Sequence, residues 1–291
     1  MTDFKNAAEL LELCRQHDWQ ISHVMKQREC DLGEVTMDQI LARMARVLEI
    51  MKEAAFTPLK TPARSMGGLI GGEARQLRLH LDSGQHICGA VLSRGITYAC
   101  AVLEVNTSMG VIVAAPTAGS SGVVPGLLLS LQEEYRLSDS QVMDALFNAG
   151  AIGYLAMRNA TVAGAVGGCQ AEVGVAAAMA ASAAVELMGG APAQCLDAAS
   201  TVLMNMLGLV CDPIGGLVEY PCQSRNTAGV ATALTAAEMA LSGVPQLIPF
   251  DEMLHTMYQV GRRIPYELRE TALGGCAATP SGCRLCHKEI T

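Results

Sequence analysis

A chain of 291 residues, 51% hydrophobic and 16% charged, is long enough to bury a large core, as one domain or as a large domain with a small N-terminal appendage. Its net charge of −8, its pI near 5.3 and the lack of any Lys/Arg stripe interleaved with aromatics exclude a nucleic-acid surface, and nothing marks a membrane surface. Glycine is plentiful at 29 residues and aromatics make up only 4%, which points to helices packed closely through Ala and Gly.

The opening MTDFKNAAELLEL reads as an amphipathic helix and not as a secretion signal, so a cytoplasmic protein is expected. In that reducing compartment the eleven cysteines read as metal ligands, reactive thiols or core fillers, not disulfides. Helical spacing predicts amphipathic helices over Asn6 to Gln16 and Thr36 to Ala54, with Ile40, Met44, Val47 and Met51 on one face and a cap at Thr36 to Asp38. Residues 1–60 are therefore expected to be a helical scaffold or partner-docking segment, ahead of a helical catalytic domain over 61–291. Lys5, Lys26, Lys52 and Lys60 lie in that first segment and Lys288 at the far end, leaving none from Thr61 to His287. Without a lysine there, a pyridoxal-phosphate Schiff base and a Walker A phosphate loop are both excluded.

Beyond Thr61 the chain becomes glycine-rich. His80 and His86 are candidate bases, and the apolar run Gly110 to Pro116 is the best strand candidate. PTAGSSGVVPG follows. Its Thr117, Gly119, Ser120, Ser121 and Gly122 offer hydroxyls and backbone N–H groups that could hold a carboxylate, or simply make a turn before a helix. Further helices are predicted over Ser138 to Met157, over the Ala-rich run after Cys169, over Asp197 to Val210 and from Thr227 onward. The Ala-rich run is about long enough to cross a membrane, but Glu172 and Glu186 inside it argue for a buried helix of a soluble protein. The fold expected is mainly α, with at most one or two short strands and loops converging on a metal cluster.

Three cysteines sit at breaks in these patterns. Cys169 follows Gly167-Gly168, Cys211 precedes Asp212-Pro213, and Cys222 follows Pro221. Three thiolates held by short, stiff loops could bind three corners of a 4Fe–4S cluster and leave one iron open. Glu172, one turn after Cys169, is a third candidate base, or an acid that suits a helix start. Arg225 and Asn226, just after Cys222, could hold a substrate carboxylate, or make an ion pair and a cap. At the end of the chain, Cys283-Arg-Leu-Cys286-His287 matches a c-type haem attachment string, which belongs outside the cytoplasm; Cys276, Cys283, Cys286 and His287 could instead bind zinc.

The strings GGCQAEVG, CDPIGGLVEYPCQSRN, APTAGSSGVVPG and PYELRETALGGCAATPSG together resemble the alpha chain of bacterial iron-sulfur-dependent L-serine dehydratases, in order from Met66 to Gly282. The resemblance implies a 4Fe–4S cluster on Cys169, Cys211 and Cys222, with L-serine at the open iron leaving as pyruvate and ammonia. It also implies a substrate role for the Thr117 to Gly122 loop, and makes Cys286 the candidate for a tail ligand in the resting enzyme. The Ser-Ser-Ser-His-Thr string of the family's smaller portion is absent here. A separate beta chain with an ACT-like fold is therefore expected as partner. Competing readings are a related cluster lyase acting on cysteine, threonine or a hydroxy acid, and a non-catalytic metal-binding protein.

Overall fold

The computed structural model describes residues 2–286, and thirteen helices carry its fold: α1 (Ala7–His17), α2 (Ile21–Gly33), α3 (Met37–Lys60), α4 (Glu73–Asp82), α5 (Gly89–Thr107), α6 (Val123–Tyr135), α7 (Asp139–Asn159), α8 (Gly164–Gly167), α9 (Val175–Leu187), α10 (Pro192–Asn205), α11 (Cys222–Leu241), α12 (Phe250–Gly261) and α13 (Pro280–Cys286). Among the described residues the β structure amounts to one isolated bridge, Cys211 with Arg269. The mainly α expectation agrees with this.

Alanine decides where the centre lies. In α9 every residue from Val175 to Val185 is buried, and α6, α7, α10 and α11 surround it. Methyl side chains let those helices approach closely and lose no rotamer entropy on packing. Glu186, near the end of α9, accepts from Asn148 Nδ2 at 2.6 Å and Ser22 N–H at 3.3 Å, so the acid in this apolar helix is partnered within the protein. No described helix is long and apolar enough to cross a membrane.

The first helices share this core: Phe4, Leu10, Ile21 and Val24 belong to the same apolar cluster as α9. Asp251, in the first turn of α12, accepts from the Ala7 and Ala8 amides at 2.9–3.3 Å and so satisfies the free N–H groups that open α1. The cap expected at Thr36 is a full capping box with Gln39, and Ser138 makes another with Gln141.

Two expectations are corrected. Gly110 to Pro116 is not a strand: it runs as an irregular segment whose Val113, Ala114 and Ala115 line an apolar groove with Met44, Met51 and Gly153. A strand needs a neighbouring strand to pair its backbone, and none lies beside this run among the described residues. The helix expected over Asp197 to Val210 begins earlier, at Pro192, and stops at Asn205; Gly208, at φ +81, takes the left-handed backbone that turns the chain towards Cys211.

One buried acid sets a pH dependence. Glu104 in α5 accepts the Ala74 N–H at 2.9 Å and thereby tethers α4, while its Oε2 is buried without a partner. Burial, above all, pushes its pKa up to about 7. The folded chain then binds the proton more tightly than the unfolded one, so stability is full below the ordinary value of 4.5 and falls as pH rises towards 7. After allowance for screening by water the loss is roughly 1–2 kcal/mol. Thermal melts between pH 5 and 8 should show this slope in the parent and not in Glu104→Gln; parallel curves would contradict it.

Candidate functional site

Cys169 is delivered by a glycine that nothing else could replace. Gly168 has φ +75, and a β-carbon there would stand 2.7 Å from Leu209 O and 2.8 Å from Ile264 Cδ1. After Cys169 the chain makes one wide π turn, Gln170–Gly174, before α9 begins. Such turns displace side chains from the regular helical register. Gln170 then latches two neighbours: its Nε2 donates to Met257 O at 2.9 Å and its Oε1 accepts from Gly208 N–H at 2.9 Å. Its own amide donates to Leu209 O at 3.0 Å. The connection 206–210 is thus fixed to the start of α9, which brings Cys211 to Cys169.

Residues 268–270 hold Cys211 from the other side. Cys211 N–H donates to Leu268 O at 2.9 Å, and Cys211 O accepts from Glu270 N–H at 2.7 Å. Cys169 Sγ, Cys211 Sγ and a Glu172 carboxylate oxygen all lie within 4.8 Å of one another. Cys222 is the first residue of α11 and is buried, like Cys169 and Cys211. Gly164, at the start of α8, makes room for the group: a β-carbon there would lie 2.5 Å from Glu172 Oε2 and 3.1 Å from Cys211 Sγ.

Hydrogen bonding to the Cys211 thiol holds the Cys169 thiol below the ordinary range, with help from the Arg225 charge. The same shared hydrogen bond, and then burial, push Cys211 far up, so Cys169 is the more acidic thiol of the pair. Burial raises Cys222 to about 12 and also raises Glu172. Arg225 is the balancing cation. Its Nη1 donates to Val210 O at 2.9 Å and lies 3.8 Å from Cys169 Sγ, while Nη2 lies 2.6 Å from Asp212 Oδ1. Asp212 Oδ2 in turn accepts from Cys276 N–H at 2.6 Å.

The loop over 117–122 closes the opposite wall. Thr117 Oγ1 donates to Glu172 Oε1 at 2.9 Å and lies 3.0 Å from Ser120 Oγ. Ser121 Oγ turns back on its own loop, donating to Ala118 O at 2.7 Å. Asn226 spends its amide on backbone: Nδ2 donates to Gly119 O at 2.8 Å and Cys222 O at 2.9 Å, and Oδ1 accepts from Gly122 N–H at 3.0 Å. Asn226 therefore ties the loop to the helix that starts at Cys222.

Cys169, Cys211, Glu172, Thr117, Ser120, Arg225 and, through Asn226, Gly119, Gly122 and Cys222 thus form one connected group. The two histidines do not join it. His80 is exposed at the end of α4, and His86 is half-buried in the following turn with Nδ1 unpartnered. Cys286 Sγ lies 3.8 Å from where a β-carbon on Gly215 would stand, in the turn between Cys211 and Cys222. Cys283 Sγ is 3.6 Å from Ala277 O, and His287 lies outside the described residues. Sequence reasoning missed Gly164, Asp212, Glu219 and Glu270. Glu219 accepts from Ser65 Oγ at 2.7 Å, Gly67 N–H at 2.5 Å and Leu69 N–H at 2.9 Å, pinning residues 65–69 to the Cys211–Cys222 loop. The strings CDP, LVEYPC and LRET carry the three acids; the first two set an acid close to Pro and Cys, and LRET offers no such signal.

Residues 16–277 match the family model described as serine dehydratase alpha chain. The chain is 45% identical, over 97% of its length and 94% of the relative's, to a probable L-serine dehydratase alpha chain of Bacillus subtilis. It is 40% identical to the L-serine dehydratase alpha chain of Peptoniphilus asaccharolyticus, over 96% of each. It is also 36% identical to the L-serine dehydratase TdcG of Escherichia coli, where 94% of this chain covers 62% of the longer relative. A match of this extent over a chain that brings buried cysteines and an acid together leaves one conclusion: the chain belongs to the serine dehydratase alpha chain family.

Proposed function

We propose that this chain is the catalytic alpha chain of a cytoplasmic L-serine dehydratase, with a 4Fe–4S cluster held by Cys169, Cys211 and Cys222. The observation that carries this is the meeting of Cys169, Cys211 and Glu172 within 4.8 Å, in a chain of that family. The donor set fits the group. Cys169 and Cys211 meet at one point, and Cys222, buried at the start of α11, is tied to the same group through Asn226; three such sulfurs suit a cluster with an open iron better than a closed structural zinc. A guanidinium beside Cys169 favours its thiolate.

When bound, the cluster supplies a Lewis-acidic iron for the substrate's hydroxyl and carboxylate. Glu172 takes the α-proton; its burial and raised pKa suit an acid that must hold that proton. The Thr117 hydroxyl fixes one carboxylate oxygen, leaving Oε2 on the sulfur side. As the α C–H electron pair becomes a C=C bond, the β C–O pair leaves with hydroxide, which is protonated to water. The 2-aminoacrylate then tautomerises and takes up water, giving pyruvate and ammonia. Ser120 and the backbone of 117–122, braced by Asn226, form the wall facing the substrate. Arg225, committed to Asp212 and Val210 O, serves the Cys169 sulfur more directly than a substrate.

The longer relatives imply that a further chain completes the enzyme, and we infer a beta chain with an ACT-like fold, docking in part on residues 1–60. Cys286, beside the turn at Gly215, would serve as a tail ligand in the resting enzyme; an unchanged lag before turnover in Cys286→Ala would remove that role. To test the whole, the chain is purified anaerobically with its beta chain, and iron, sulfide and pyruvate release from L-serine are measured. About four irons per chain, lost in the alanine variants of Cys169, Cys211 and Cys222 together with pyruvate release, are expected. Zinc in place of iron, with no pyruvate, would overturn the proposal.

A further inference from the structure

The reaction just described leaves the ammonium group of L-serine without a partner, and one carboxylate at the site is unused. Glu270 is exposed, and its backbone holds φ +64, a left-handed conformation that costs a residue with a β-carbon. That backbone is locked in place, because Glu270 N–H donates to Cys211 O in the bridge that fixes residues 268–270 beside Cys211. Its carboxylate has no hydrogen-bond or ion-pair partner among the described residues. The other charges at the site are spoken for. Arg225 is paired with Asp212, and Glu172 is buried against Thr117.

Resting on the reading of the chain as an L-serine dehydratase, we propose that Glu270 receives the α-ammonium group of the substrate and selects a 2-amino acid over an acid that lacks the amino group. A carboxylate carried on a backbone pinned beside Cys211 meets a zwitterion with part of its position settled beforehand, and a charge-assisted hydrogen bond results. The same charge acts against the competitor. A 3-hydroxy acid without the ammonium brings only a negative carboxylate past Glu270 and leaves that acid unpaired. Discrimination between amino and hydroxy acids therefore follows from one side chain, whereas the elimination itself does not use it.

The test uses the anaerobic holoenzyme with its beta chain, comparing the parent, Glu270→Gln and the charge-keeping Glu270→Asp. L-serine turnover is measured, together with binding of L-serine and of 3-hydroxypropanoate, followed by the change each causes in the visible absorption of the cluster. Glu270→Gln should raise KM for L-serine about tenfold or more, with kcat within a few-fold and iron and sulfide content unchanged. Its affinity for 3-hydroxypropanoate should rise relative to that for L-serine, and Glu270→Asp should recover part of the discrimination. An unchanged ratio of the two affinities overturns the proposal. So does a loss that affects both ligands equally and takes iron with it, which would mark a structural role. A parent enzyme that releases no pyruvate overturns the reading beneath this proposal and the proposal with it; an active parent with an indifferent Glu270→Gln overturns this proposal alone.

Discussion

Glu172→Gln should lower kcat for L-serine by about a hundred- to ten-thousandfold while iron, sulfide and thermal stability stay near parent values. The amide has the shape of the acid, so it can still accept the Thr117 hydroxyl at Oε1 and fill the space that Gly164 leaves beside it. The three cysteine sulfurs are untouched. What disappears is the capacity to take a proton at the atom that faces Cys211. Because only the transition state gains from that transfer, the loss should fall on kcat more than on KM. Activity within tenfold of the parent would mean that the base lies elsewhere, for instance on the beta chain.

Gly164→Ala should also be damaging, for a steric reason. The Gly164 backbone is outside the left-handed region, so alanine meets no conformational penalty there. Its methyl would, however, stand 2.5 Å from Glu172 Oε2 and 3.1 Å from Cys211 Sγ, and both must move. Overpacking of this kind costs about 1–3 kcal/mol, and here the displaced atoms are the proposed base and a proposed cluster ligand. Loss of activity by tenfold or more, with reduced iron content, is expected. Gly150→Ala is the control: its β-carbon would meet only Met25 Cε at 3.9 Å, inside α7. That change should add about 0.5–1 kcal/mol of stability and leave activity alone. Full activity in Gly164→Ala would show that the close approach at α8 has no bearing on the chemistry.

Much of the helical frame was legible because capping and composition speak locally. Thr36 and Ser138 announce their helices by side-chain caps, and the alanines of α9 announce a helix that neighbours can approach from every side. The helices α2, α4, α5 and α12 were missed or merged with loops; α2 and α4 are polar with partial hydrophobic faces, and α5 is buried along most of its length and so lacks a polar face to mark its period. Gly110 to Pro116 misled because an apolar run looks alike whether it lines a groove or pairs in a sheet. At the site, Cys169, Cys211 and Cys222 stood out by their Gly and Pro surroundings. The partners of Arg225 and Asn226 did not, since Asp212, Val210 O, Gly119 O and Gly122 N–H become partners only once α11 is folded against two loops. His80 and His86 were candidates by residue type alone, and position in space is what separates them from Glu172.

The most direct measurement of the central claim is Mössbauer spectroscopy of the anaerobic enzyme, loaded with iron-57 and frozen with and without L-serine. Three irons held by Cys169, Cys211 and Cys222 should be left unchanged, while one iron in four shifts to a harder, higher-coordinate signature when L-serine is added. A spectrum in which L-serine changes no iron, or in which every iron has the same thiolate environment throughout, would contradict a cluster that binds substrate at an open corner.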